Sequence, residues 1–221
     1  MKLVYPALQT PIMLSNDCLN SVVIEEPGFF YEIVKDLKEQ WEGMDGKAVL
    51  SENNEPVEIR KNLELVIDCI DFEINQKTLL TKVLSVLEKV GRSEDYIDKT
   101  QQLLADIERY IYDISFDFDV EIQCDKMSIA QILKSVGISI VSGYDKLTEV
   151  LYSYMQLVRE FDGDKVFAFV NLRSFVKVDE LQDFADTVLA HGYRVLLLDN
   201  HAYPSLTMEK RLIVDADLCE I

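Results

Sequence analysis

The residues with the clearest chemical spacing lie in the middle of the chain, at Ile114-Ser115-Phe116-Asp117-Phe118-Asp119-Val120-Glu121-Ile122-Gln123. The alternation is strict. As a strand it would place Phe116, Phe118, Val120 and Ile122 on one face and Asp117, Asp119 and Glu121 on the other. Same-face neighbours on a strand are roughly 6.5–7 Å apart, so three carboxylates in a row repel unless water or a cation screens them. Asp125 follows closely. An all-oxygen set of this kind suits a hard cation, calcium above all. The alternative is the solvated face of an edge strand, where charge discourages aggregation. The spacing is not that of an EF-hand loop, which needs a central glycine and a terminal glutamate.

A second pattern sketches a nucleotide site. An apolar segment, a loop, Lys77-Thr78 and then a helix resemble the end of a phosphate-binding loop. Leu196-Leu197-Leu198-Asp199 reads as an apolar strand ending in a magnesium-binding acid. The loop itself argues against hydrolysis. It is Asp71-Phe72-Glu73-Ile74-Asn75-Gln76, without a glycine to let successive N–H groups curl around an anion, and its two acids repel triphosphate. No other catalytic constellation stands out. His191 and His201 follow a helix end and a strand end, with no nucleophile pattern near them. Cys18, Cys69, Cys124 and Cys219 are scattered without metal or redox spacing. The reading is of a protein that is not an enzyme, with a nucleotide hydrolase or a protein-only scaffold as the alternatives.

Charge sets the strongest constraint. Lys and Arg total 22 against 40 Asp and Glu, a formal net charge of −18. Such a chain repels phosphate polyanions unless its cations are gathered on one surface or bound cations offset its carboxylates. The local balance is uneven. Residues 94–125 are overwhelmingly acidic, relieved by Lys99 and Arg109. Lys77, Lys82, Lys89 and Arg92 face only Glu88 between 74 and 92. Lys134, Lys146 and Arg159 face Asp145 and Glu149 between 127 and 159. A symmetric oligomer could gather several copies of such a thin basic patch around one axis.

The elements that must carry these residues follow from periodicity. Two short strands are expected around Ser15-Asn16-Asp17. A helix follows over 29–41, with Phe30, Ile33, Val34 and Leu37 on one face. Short and buried strands follow at 47–51 and 63–70, then a helix over 77–89. Ser93 is the expected N-cap of a long helix carrying Ile97, Leu104, Ile107 and Ile111. Two more helices are expected, over 128–136 and from about 145 to before Gly163. The end returns to alternation: a strand at 166–170, a helix over 179–190, and strands at 194–199 and 211–214. Continuous apolar runs of this kind suit a parallel sheet covered on both faces. The fold class is α/β, with a head domain at 1–90 and 163–221 and an inserted helical domain at 91–162. No signal peptide or membrane span is evident, and the expected compartment is a reducing cytoplasm.

Across nearly its whole length the chain resembles a known family. The resemblance rests on the order of Leu65-Val66-Ile67-Asp68, Phe72-Glu73-Ile74-Asn75, Phe118-Asp119-Val120-Glu121, Leu133-Lys134-Ser135-Val136-Gly137-Ile138, Lys165-Val166-Phe167-Ala168-Phe169-Val170-Asn171 and Arg194-Val195-Leu196-Leu197-Leu198-Asp199. The family is the small CRISPR-associated protein of type II-A systems that assembles as a tetrameric ring and binds double-stranded DNA ends. The resemblance implies an ATPase-like head with a mostly parallel sheet and a degenerate phosphate loop. It implies a calcium-stabilised homotetramer whose lysine-lined hole encircles linear duplex without reading sequence. It also implies other CRISPR adaptation proteins as partners. Carried over residue by residue, it marks Asp119, Glu121 and Asp125, with Asp117, as calcium ligands. It marks Lys134 as a pore residue, with Lys77, Lys126 and Lys146 beside it as DNA-binding candidates. Lys126 stands where other members carry an acid.

Overall fold

The computed structural model describes residues 1–116, 118–120, 122–141 and 143–221. In chain order the elements are β1 (Lys2–Val4), β2 (Ile12–Met13), β3 (Leu19–Ile24), α1 (Pro27–Trp41), β4 (Val49–Glu52), β5 (Glu55–Val57), α2 (Ile59–Asn62) and β6 (Leu63–Val66). Then come α3 (Lys77–Gly91), α4 (Ile97–Ser115), α5 (Ile129–Ser135), α6 (Leu147–Asp162), β7 (Val166–Val170), α7 (Val178–Ala190), β8 (Arg194–Asp199) and β9 (Glu209–Val214). By their contacts, residues 1–74 and 143–221 form one compact unit and 75–142 a second. The dividing lines thus differ from those read in the sequence at 90/91 and 162/163. α3 falls in the second unit, and α6 falls in the first.

The first unit is built on a five-stranded sheet of order β6-β7-β8-β3-β9, in which every neighbouring pair is parallel. Its strands are apolar on both sides because both sides are covered. On one side Val22, Ile24, Ala168 and Leu198 join a core with Ile33 and Leu37 of α1. That core extends to Leu3 and Leu50 of a second, antiparallel sheet of order β2-β1-β4-β5. Alternate residues serve the other side: the Phe169 ring meets Phe184 of α7 edge-on at 5.9 Å. On α6, Leu151, Tyr154, Met155 and Val158 are all buried, at the i, i+3, i+4, i+7 spacing of one helical face.

A buried polar cluster fastens α6 to the sheet. Lys165, just before β7, is 4% exposed, and its Nζ lies 3.2 Å from Glu64 Oε2 of β6 and 2.7 Å from Asp162 Oδ2 at the end of α6. The Tyr154 hydroxyl donates to the other oxygen of Glu64 at 2.7 Å. Burial, with the Glu64 carboxylate beside it, raises the Tyr154 hydroxyl well above its ordinary value, so it stays a proton donor.

In the second unit, α3 buries Leu79 and Val83, and α5 opens with a full capping box in which Ser128 and Gln131 satisfy each other's backbone N–H. Three local expectations change. The strand expected over 63–70 stops at Val66, because the Asp68 carboxylate accepts from Ile70 and Asp71 N–H and turns the chain. Ser93 does not cap α4: its hydroxyl donates to the Val90 carbonyl, and the helix begins only at Ile97. The largest change concerns the acidic alternation. Ile114 and Ser115 are the last residues of α4, and residues 118–120 form a bend. Among the described residues of 114–123 no strand forms. The helical repeat of Ile107, Ile111 and Ile114 carries through the start of the segment. The chain then closes in turns, Phe116 N–H to Asp113 O and Phe118 N–H to Ser115 O. No neighbouring strand is present among the described residues to pair with it.

Replacing Lys165 by Met leaves Glu64 buried with its cation gone. Urea denaturation should show a loss of about 3–5 kcal/mol, the usual cost of breaking a buried pair by removing one partner. An unchanged midpoint would show that the cluster does not hold α6.

Candidate nucleic-acid interface

The four lysines singled out by the sequence occupy distinct local positions. Lys77 is the first residue of α3, Lys126 precedes the Ser128 cap, and Lys134 sits in the last turn of α5. Lys146 is the residue immediately before α6. All four are exposed. None forms an ion pair among the described residues, whereas Lys35, Lys38, Lys47, Lys61, Arg92 and Arg109 each do. Lys77, Lys126 and Lys134 belong to the unit 75–142, and Lys146 to the other.

Of the four acids, Asp119 and Asp125 are exposed, while Asp117 and Glu121 lie outside the described residues. Asp119 and Asp125 present only oxygen donors, the chemistry a hard cation takes. Among the described residues no three His, Cys, Asp or Glu side chains are close enough together to hold a metal ion.

A different arrangement occupies the end of the parallel sheet where ligands of open α/β folds usually sit, outside the carboxyl ends of the strands. β3 passes into α1 through two residues, Glu25 and Glu26. The α1 N-terminus is a natural anion site, with free N–H groups and a positive dipole end. Here Glu26 fills it with its own carboxylate, accepting from Gly28 N–H at 3.0 Å and Phe29 N–H at 2.5 Å. Pro27 has no N–H to satisfy. On the adjacent strand, Asp199 pairs in register with Val23 and is fully buried. The guanidinium of Arg173, from the 3₁₀ turn Leu172–Ser174 after β7, lies 3.1 Å from it. Arg173 also reaches Glu209 at 2.6 Å and the Pro204 carbonyl. Arg211 holds Glu209 from the other side and binds the Tyr203 carbonyl.

Burial pushes the Asp199 carboxyl up to about 6, against the opposing pull of Arg173. Glu209 moves the other way. Burial would raise it, but hydrogen bonds from Arg211, Ser21 and the Leu206 N–H outweigh that and hold it below its ordinary value. In this crevice an incoming phosphate would meet the Glu26 carboxylate, and an incoming cation would meet the Arg173 guanidinium.

The glycine-free loop before Lys77 follows β6, an edge strand, while the strand beside Asp199 is β3. The phosphate-loop position of the sheet is therefore at 25–28. Sequence reasoning missed Glu26, starting the helix at 29; the signal that would have found it is an acid just before a proline at a helix start. Arg173 gave no signal, because its role depends on β7, β8 and β9 meeting in space. His191 caps the end of α7, with a ring nitrogen 2.9 Å from the Thr187 carbonyl, and the His201 ring lies 4.1 Å from that of Tyr203. Among the described residues no helix is long and apolar enough to cross a membrane.

These features define a mixed α/β protein with a parallel sheet whose ligand crevice is filled from within and whose unpaired lysines lie elsewhere. The family model described as "CRISPR-associated protein (Cas_Csn2)" matches residues 40–218, and the chain belongs to that family. It is 20% identical over 200 residues to the CRISPR-associated protein Csn2 of Streptococcus agalactiae, covering 90% of this chain and 89% of that one. It is 20% identical over 138 residues to the protein of the same name from Enterococcus faecalis, covering 62% and 63%. Among solved structures it resembles that of Stu0660 of Streptococcus thermophilus, with a TM-score of 0.57 over 93% of this chain and 69% of that one. At 12% identity that likeness speaks to the fold alone.

The Asp199 assignment has a pH signature. Its folded-state value lies above the ordinary 3.8, so the folded protein binds the proton more tightly than the unfolded chain. Its contribution is most favourable below about pH 4 and is lost as pH rises through 6. Against an Asp199→Asn variant, the wild type should lose on the order of 2–3 kcal/mol between pH 4 and 7 in denaturant titrations. Parallel pH profiles for the two proteins would contradict the assignment.

Proposed function

We propose that this chain is a non-catalytic, sequence-independent binder of double-stranded DNA ends that supports new-spacer acquisition in type II-A CRISPR immunity. It works in the cytoplasm as a calcium-stabilised homotetrameric ring, alongside other CRISPR adaptation proteins. The observation that carries the reading is that Lys77, Lys126, Lys134 and Lys146 stay exposed and, among the described residues, free of ion pairs in a chain of net charge −18. A protein with so many carboxylates could neutralise these lysines internally. Leaving them free fits a polyanionic partner whose phosphates take that role.

Self-association is supported by the surface of α4. This helix of 19 residues buries none of them, yet Leu103, Tyr110 and Ile114 are large apolar side chains open to solvent. A second copy would cover such a surface, and a closed symmetric assembly would collect one set of lysines per protomer around its axis. Calcium, held by Asp119 and Asp125 with Asp117 and Glu121, would offset part of the acidic charge next to that surface. Other adaptation proteins dock on the finished ring.

Support for a non-catalytic reading comes from the crevice. An ATPase-like head with a degenerate phosphate loop would need its phosphate and magnesium positions open. Glu26 and Arg173 fill the corresponding places in this sheet. That arrangement favours the topology as a scaffold over hydrolysis.

The test compares linear and covalently closed circular duplex of the same sequence, each with calcium and with chelator, in a gel-shift assay at low salt. Linear DNA should bind in calcium and lose affinity by about tenfold or more on chelation or with Lys134→Glu, as expected when several phosphate contacts are lost together. Closed circles should bind poorly under every condition. Equal binding of both forms, or of neither, would overturn the proposal.

A further inference from the structure

In unit 75–142, one side chain joins two stretches that are far apart in sequence. Asn75, the first residue of the unit, donates from Nδ2 to the Ile140 carbonyl at 3.0 Å. Its Oδ1 accepts from the Ile140 N–H at 2.7 Å. Two bonds exchanged with the backbone of one residue are what a neighbouring strand would supply, here delivered by a side-chain amide. Asn75 and Ile140 are both half-buried. Among the described residues of 137–145 no other hydrogen bond is made.

This staple closes a helix pair. α3 and α5 pack together. Gly91, at the end of α3, comes so near Ile129, at the start of α5, that a Cβ on the glycine would lie 3.2 Å from Ile129 Cγ1. Because Ile140 is bound beside the start of α3, the chain must run back along α3 from that point. α3 has 15 residues and α5 seven, about 22 and 10 Å of helix, which leaves roughly 12 Å for Val136–Ile140. Five extended residues span at most about 17 Å, so the returning chain has little slack. Gly137, with a φ of 66°, ends α5 and begins the return. α3 anchors itself by burying Leu79 and Val83, whereas α5 buries none of its residues. A helix of two turns is marginal without outside support. Its first turn is held by the Ser128–Gln131 box and by the approach to Gly91. Its last turn, which carries Lys134, is held from beyond, by the bond of Ile140 to Asn75.

We infer that Asn75 is the positioning residue for Lys134: its amide fixes the chain leaving α5 against the start of α3, and so sets where the last turn of α5 presents its lysine. A lysine on a fraying turn must be ordered each time it meets a phosphate, and the staple removes that entropy cost in advance. The inference rests on the proposed contact of Lys134 with DNA phosphates and adds to it an uncharged residue that acts through the fold.

The test uses the intact protein as wild type, Asn75→Ala, Lys134→Gln and the double variant, with two readouts. Residue-resolved amide exchange by NMR, without DNA, reads the staple. In the wild type the Ile140 amide should be protected although no helix or strand contains it. In Asn75→Ala its exchange, and that of the Lys134 and Ser135 amides, should rise by about tenfold, the scale of one or two ordinary hydrogen bonds. Unchanged β8 amides would verify that unit 1–74/143–221 stays folded. Gel-shift affinity for linear duplex reads the consequence. Asn75→Ala should weaken binding by about threefold or more when Lys134 is present and by less than about twofold beside Lys134→Gln, because both substitutions act on one contact. Asn75→Asp keeps the shape but sets a carboxylate against the Ile140 carbonyl, and should give the same pattern if alanine unfolds the unit. A freely exchanging Ile140 amide in the wild type, or α5 amides unchanged by either substitution at Asn75, would overturn the inference. So would equal losses of affinity with and without Lys134. Failure of the wild type to bind linear duplex would instead overturn the DNA reading, and the exchange result alone would then decide whether Asn75 holds the Lys134 turn.

Discussion

The net charge of −18 governs how this chain can place every cation it has. Those within the unit 1–74/143–221 are largely committed. Arg159 pairs with Asp164, Arg173 with Asp199 and Glu209, Arg194 with Asp164 and Glu52, and Lys165 with Glu64 and Asp162. Cations held this way hold the fold together and offer little to a ligand, because their fields end on a neighbouring carboxylate. The lysines that form no ion pair among the described residues are therefore where the molecule can project a positive field. Their presence amid so many acids is the feature that the proposed function explains.

The same logic accounts for the parallel sheet. A sheet covered on both faces buries its strand ends, and charged groups there must be satisfied within the molecule. At one end Tyr154, Lys165 and Asp162 surround Glu64. At the carboxyl end of β8, the buried Asp199 is met by the charge of Arg173, which also reaches Glu209 at the start of β9. Glu26 completes the second end by capping α1 with a carboxylate where related topologies hold a phosphate. The crevice that the fold would offer to a ligand is thus used to stabilise the fold.

Much of the sheet was legible because its strands are simple. Leu196-Leu197-Leu198 and Phe167-Ala168-Phe169 are apolar runs that only a strand covered on both faces explains, and both formed where expected. The short helix expected over 128–136 formed at Ile129–Ser135, opened by the Ser128–Gln131 capping box. The acidic alternation misled for a physical reason: a period of two specifies a strand only when another strand is there to pair with it. Ile114 also satisfies the helical repeat of Ile107 and Ile111, and the local helix prevailed. Arg173 was not legible at all. Its role arises from which strands become neighbours, and order in the sequence does not reveal order in the sheet.

The central claim is that free lysines on an acidic protein meet phosphates, and ionic strength tests it most directly. The affinity for a linear duplex should be measured from low to physiological salt for the wild type and for a protein combining Lys77→Gln, Lys126→Gln and Lys134→Gln. The account predicts a steep linear fall of log affinity with log salt in the wild type and a clearly shallower slope in the variant, as fewer counterions are released. Identical slopes, or a wild-type affinity indifferent to salt, would contradict it.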